Sequence, residues 1–189
     1  MNEQRSILAD KLINTGYIDL FMRTNENAIN EIWSNKNYQE ELHTIITDNA
    51  VPVPARFLAA EILFKKDAAF PSSEEQKKML AKIYVEVLSN KGTVNGNIWG
   101  LPGYTGITGE HMLHADKDEL VILLKQQLNN QQPVLYDGSR EATFGNSYEY
   151  RVKDIAAFYF GKLLNLPYAV LNTPAERDIE IERLKKNLQ

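Results

Sequence analysis

The sequence predicts an all-α fold built from antiparallel helix pairs, in a single domain spanning residues 1–189. Three observations support this prediction. Apolar residues recur at helical spacing along most of the 189 residues. Several segments begin with helix-capping signatures. Strand signals are scarce, because runs that alternate apolar and polar residues are few and short.

The first third of the chain predicts four helices. The expected spans are 3–14, 17–35 with a break near Thr24, 38–48 with Asn37 and Glu40 as its cap, and 54–66. The last of these carries apolar residues on two faces. We therefore expect neighbouring helices on both sides of it.

The remainder predicts four further helices. A capping box at Ser72-Ser73-Glu74-Glu75 begins a helix over residues 73–90, which Gly92 is placed to end. The other expected spans are Asp116–Asn130, with Asp116 as its cap, Arg151–Leu164, and a last helix that Thr173 and Pro174 begin. Between the second and third of them, Asp137-Gly138 stands between short apolar runs and favours a small hairpin.

Two of these helical segments resemble each other, PARFLAAEILFKK and RVKDIAAFYFGKLL. Each has a basic residue, Arg56 or Lys153, followed three positions later by an Ala-Ala pair and an aliphatic stripe. Each also follows a candidate first helix. The pattern resembles the second helix of a HEAT-type repeat, and the two copies lie slightly more than two repeats apart at a period of about 40–47 residues.

The resemblance implies a HEAT-like array, or an irregular superhelix of helix pairs, with a groove. The approximate units are residues 1–66, 73–115 and 116–189. Proteins of this class mostly bind other proteins or peptides, so the resemblance implies a non-enzymatic binding scaffold.

Two segments depart from the helical pattern, and we expect them to contact the partner, which is another protein or a peptide. The Gly-rich loop (residues 92–115) holds six of the ten glycines, and its apolar content predicts an ordered loop anchored by Trp99. The insertion (residues 131–151) is rich in Tyr and Arg, which are typical interface anchors. The candidate contact residues are Trp99, Tyr104, His111, His114, Tyr136, Asp137, Arg140, Tyr148 and Arg151.

Two catalytic interpretations and one structural interpretation compete with binding. Glu110, His111 and His114 would serve a metal-dependent hydrolase, because His-x-x-His places two imidazoles on one helical face. Ser139 or Ser147 with a histidine and Asp137 would form a hydrolytic triad, although no nucleophile-elbow motif surrounds either serine. A purely structural subunit would self-associate through exposed apolar helix faces. We expect no catalytic residue, metal or cofactor.

The composition excludes several other classes. Cysteine is absent, so no disulfide framework or thiolate metal site is expected. The net charge is −4, with basic and acidic residues interleaved, so we do not expect nucleic-acid binding. No apolar run approaches the roughly 18 residues of a membrane span, and the start of the chain lacks a signal-peptide pattern. The expected location is the cytoplasm.

Overall fold

The computed structural model describes residues 2–22, 26–90, 94–138 and 140–187. These residues form eleven α-helices, one π-helical segment and two short strands, which confirms the all-α prediction. In chain order the elements are α1 (Glu3–Tyr17), the π-helical segment (Ile18–Met22), α2 (Asn27–Ser34), α3 (Lys36–Thr47), α4 (Val53–Lys66), α5 (Glu74–Leu88), β1 (Val94–Asn95), α6 (Gly96–Trp99), α7 (Ile107–Met112), α8 (Lys117–Gln127), β2 (Val134–Leu135), α9 (Arg140–Ser147), α10 (Val152–Leu164) and α11 (Pro174–Lys186). None of the helices within these ranges is long and apolar enough to cross a bilayer.

The N-terminal helices differ from the prediction at their ends. Helix α1 is assigned as far as Tyr17, although its helical geometry is interrupted at Gly16, and the π-helical segment follows directly. The break expected near Thr24 lies outside the described residues. The cap of α3 is Asn35 and not Asn37, because the Asn35 side chain accepts a hydrogen bond from the Asn37 N–H.

Helix α4 is the most buried helix of the N-terminal half. Every residue from Ala55 to Leu63 is buried, and the helix contacts α1, α3 and α5. The prediction that both of its apolar faces are covered is therefore confirmed. Buried side chains from Leu8 to Leu184 belong to the same hydrophobic core.

The C-terminal helices follow one another in space. Helix α5 contacts α8, α8 contacts α10, and α10 contacts α11. Two predicted caps are confirmed. Asp116 accepts a hydrogen bond from the Glu119 N–H at the start of α8, and Thr173 forms a reciprocal capping box with Glu176 at the start of α11.

The prediction of a small hairpin at Asp137-Gly138 is wrong. Strand β2 pairs in parallel with β1, so that Val134 lies opposite Val94, and the residues after the turn form α9. The ends of the insertion are instead joined by a single antiparallel bridge between Pro133 and Arg151. A returning strand cannot form because α9 occupies the segment that would supply it.

Candidate binding groove

The Gly-rich loop and the insertion meet at the ring of Tyr136. The ring lies in a slot between Gly96, at the start of α6, and Gly145 in α9. A Cβ atom added to Gly96 would lie 2.5 Å from ring carbons, and one added to Gly145 would overlap the same ring. Carbon atoms pack at about 3.5–4.0 Å, so only glycine fits on either side. The Tyr136 hydroxyl donates a hydrogen bond to the Gly100 carbonyl at 2.9 Å, and burial raises the pKa of this hydroxyl.

Two asparagines fix the backbone on either side of this ring. Asn146 accepts a hydrogen bond from the Tyr136 N–H at 2.9 Å and donates one to the Tyr136 carbonyl at 2.8 Å. Asn97 forms the same pair of bonds with the backbone of Asp137, at 2.8 and 2.9 Å. Because Asn97 belongs to α6 and Asn146 to α9, the two segments are hydrogen-bonded to one shared stretch of chain.

Trp99 anchors the Gly-rich loop in the core. Its side chain is 2% exposed, and its ring makes edge contacts with Tyr84 of α5 at 6.4 Å and with Tyr159 of α10 at 6.5 Å between centroids. Tyr136 is also 2% exposed. Neither side chain offers surface to a partner in this structure, so both support the candidate site and do not contact a ligand directly.

A groove of about 390 Å³ opens beside this joint. We call it the aromatic groove. Its lining comes from Leu101–Tyr104 of the Gly-rich loop, from Phe144, Tyr148 and Tyr150 of the insertion, and from Val170 and Asn172 between α10 and α11. Tyr104 is 78% exposed and Phe144 is 59% exposed. The rings of Tyr148 and Tyr150 are stacked, with centroids 5.6 Å apart and planes 28° apart. No described lining residue carries a charge.

Arg177 of α11 fixes two sides of the groove to each other. Its side chain is fully buried. The guanidinium donates hydrogen bonds to four backbone carbonyls, those of Leu171 at 2.9 Å, Asn172 at 3.0 Å, Tyr148 at 2.6 Å and Glu149 at 3.1 Å. Its central carbon also lies 4.7 Å from the centre of the Tyr150 ring, within the range of a cation–π interaction.

The charge of Arg177 is balanced by Asp154, which is also fully buried. The two side chains approach to 3.3 Å. Asp154 accepts three further hydrogen bonds from Arg151, two from the guanidinium at 3.0 Å and one from the backbone N–H at 2.8 Å. Arg151 also bonds Asp178 and the Pro174 carbonyl, so its guanidinium is used within the fold and not at the groove.

Arg177 was not predicted as a functional residue, although the sequence contains a signal for it. The residue lies four and seven positions before Ile181 and Leu184, which are buried on the apolar stripe of the last helix. A charged residue on an apolar stripe has to be paired if it is buried. That reasoning would have marked Arg177 as the centre of a buried polar network.

His111 and His114 lie beside α4 and do not line the groove. The His111 ring stacks on Phe64, with centroids 4.3 Å apart, and its Nδ1 lies 3.0 Å from Oε1 of Glu61. Glu61 is buried and also accepts a hydrogen bond from the Tyr84 hydroxyl at 2.5 Å. His114 is exposed and tilts against Phe64 at 5.6 Å. His111 therefore acts here as part of a buried hydrogen-bond network.

The geometry does not support the two catalytic interpretations. Glu110 is exposed, and among the described residues no group of three or more His, Asp or Glu is placed to hold a metal ion. Ser139 lies outside the described residues. The Ser147 hydroxyl donates its hydrogen bond to the Phe144 carbonyl at 2.7 Å, within its own helix.

Of the predicted contact residues, Tyr104 and Tyr148 line the groove. Asp137 is exposed, with its backbone held by Asn97. The side chain of Arg140 lies outside what the structure describes. The groove adds Phe144 and Tyr150, which the aromatic density of the insertion indicated, and Val170 and Asn172, which no sequence pattern marked.

Comparisons of the chain with protein-family models, with curated proteins and with solved structures found no significant match.

Proposed function

We propose that this chain is a HEAT-like helical-repeat protein that binds an uncharged segment of another protein in the aromatic groove. The observation that carries the proposal is the pair of exposed rings, Tyr104 and Phe144, on different segments of one concave surface. Large exposed aromatic groups in a groove are typical of ligand and partner sites. Tyrosine also dominates the energetics of many interfaces.

The helix contacts support the repeat part of the proposal. Helices α3, α5 and α8 contact one another in succession, as the first helices of stacked pairs do. On the other side, α4 contacts α7, and Gly109 of α7 abuts the Tyr159 hydroxyl of α10. These contacts support a repeat in which the Gly-rich loop replaces the second helix of the middle unit. The aligned basic residues Arg56 and Lys153 are each 6% exposed, and this shared burial supports the equivalence of the two helices.

The supporting structure makes the groove a preformed site. The Tyr136 slot joins the Gly-rich loop to the insertion, and Arg177 joins the insertion to the segment before α11. A site that is already ordered loses little conformational entropy on binding. Tyr and Phe side chains add to this advantage, because they supply contact area with only two rotatable χ angles each.

A peptide-display selection tests the proposal. Short random peptides are selected on the wild-type protein, and the affinity of each selected peptide is then measured on the wild type and on the double variant Tyr104→Ala/Phe144→Ala. Both side chains are largely exposed, so we expect the variant to fold, as circular dichroism would verify. Truncating an interface hot spot weakens binding by about 2 kcal/mol or more, so we expect the selected peptides to lose at least ~30-fold in affinity on the double variant.

Ile179→Ala is the matched control. Ile179 is a 70% exposed apolar side chain on α11 and does not line the groove. We expect it to leave the affinity of the selected peptides unchanged. Peptides that bind the wild type and the groove variant equally well, or a selection that enriches nothing, would contradict the proposal.

A further inference from the structure

We infer that the ligand of the aromatic groove is an uncharged, proline-rich segment in the polyproline II conformation. This inference depends on the proposed function and names the class of peptide that the same site takes. Three properties of the groove carry it, namely its ring surfaces without charge, its unpaired hydrogen-bond donors and its size.

The lining selects a neutral ligand with flat apolar groups. No described lining residue carries a charge that could form an ion pair with a charged ligand, and burying a charge without an ion-pair partner is strongly unfavourable. Tyr104 and Phe144 expose ring surfaces from two segments, and the stacked rings of Tyr148 and Tyr150 continue that surface. Proline-rich segments generally bind in aromatic-lined grooves of this kind.

The hydrogen-bonding capacity of the groove matches a backbone that offers carbonyls. Three polar groups of the lining form no hydrogen bond within the described part of the chain, namely the hydroxyls of Tyr104 and Tyr148 and the side-chain amide of Asn172. A polyproline II segment has no internal hydrogen bonds, so its carbonyls are free, and each proline lacks an N–H. A helical ligand would instead use most of its carbonyls internally.

The size of the groove fits one turn of such a segment. At about 390 Å³ it lies near the lower end of the range for ligand sites. One turn of polyproline II has three residues and is about 9 Å long. A helix with its side chains is about 10–12 Å wide, and a helical ligand needs anchor positions over two turns or more. A small groove therefore favours the thinner ligand.

Two matched peptide libraries test the inference. In one, proline is fixed at every third position and the other positions carry random uncharged residues. In the other, alanine replaces the fixed prolines. We expect the wild-type protein to enrich peptides from the proline library only. The best peptide should lose at least tenfold in affinity on Tyr104→Ala and on Phe144→Ala, and nothing on Ile179→Ala. Tyr104→Phe, which removes one hydroxyl and keeps the ring, should weaken binding by a smaller factor.

The outcomes separate this inference from the function on which it depends. Enrichment from the alanine library alone, or from both libraries equally, with binding still lost on the groove variants, overturns the polyproline II assignment and leaves peptide binding standing. No enrichment from either library overturns both. Binding of a saccharide array that Tyr104→Ala and Phe144→Ala abolish, without peptide enrichment, would also overturn both, because the groove would then be a carbohydrate site.

Discussion

Replacing Arg177 by methionine tests the buried network that joins two sides of the groove. The substitution keeps an unbranched chain of similar length and removes the charge. Four backbone carbonyls lose their charged donor, and Asp154 keeps only Arg151 as its partner. Breaking a buried ion pair by removing one partner costs about 3–5 kcal/mol. For a chain of this length, each kcal/mol lowers the melting temperature by about 2–4 °C, so we expect a decrease of roughly 6–20 °C.

Urea unfolding measures the effect, and Arg183→Met is the matched control. Arg183 lies on the same helix, is 43% exposed and pairs with Glu180 three residues away. Exposed pairs of this kind contribute about 0–1 kcal/mol. We also expect Arg177→Met and Asp154→Asn together to cost less than the sum of the two single changes, because they remove the same interaction. The reasoning is refuted if Arg177→Met lowers the free energy of unfolding by no more than Arg183→Met does.

Three further predictions concern other parts of the fold. Gly145→Ala places a methyl group against the Tyr136 ring, and we expect urea unfolding to show a loss of about 1–3 kcal/mol. Trp99→Ala leaves a cavity in the core, and we expect a loss of about 3–5 kcal/mol in the same assay. The hydrogen bond from Arg5 holds the pKa of Asp48 below its ordinary value. The stability that Asp48 contributes is therefore present above the unfolded-state pKa of about 3.9 and is lost as the pH falls through its lower folded-state pKa, so Asp48→Asn should flatten the acid limb of the stability curve.

Matched control variants distinguish these effects from a nonspecific loss of stability. Thr143→Ala changes an exposed residue of α9 and should leave stability within about 0.5 kcal/mol of the wild type. A Gly145→Ala protein as stable as the Thr143→Ala protein would show that the slot accommodates a side chain. An acid limb that Asp48→Asn does not alter would show that the Arg5 pair does not stabilise the fold.

The helices that the sequence predicted well are those with strong local signals. The spans of α4 and α10 follow from the periodicity of their apolar residues, and Asp116 and Thr173 cap their helices as expected. These signals act within one or two turns of the chain, so a single sequence contains them. The cap of α3 was assigned to Asn37 and not to Asn35, because two asparagines with equal capping ability stand two positions apart.

The candidate site was harder to predict because tertiary contacts assemble it. Asp137-Gly138 has a local preference for a hairpin turn, yet the fold uses it to enter α9, where Gly145 closes on the Tyr136 ring. His111 is separated by fifty positions from Glu61, which holds it, so its role was not visible in a local motif. Asn172 reaches the groove because a buried arginine on the next helix bonds its carbonyl. Single-sequence patterns do not carry such distant pairings.

Amide chemical-shift mapping with the best proline-library peptide tests the central claim most directly. The claim is that the Gly-rich loop and the insertion form one binding surface. We predict that titration shifts the amides of residues 101, 103 and 104, of residues 144–150 and of residues 170–172 together, with one affinity. Shifts confined to one of the three segments, or centred on His111 and His114, would contradict it.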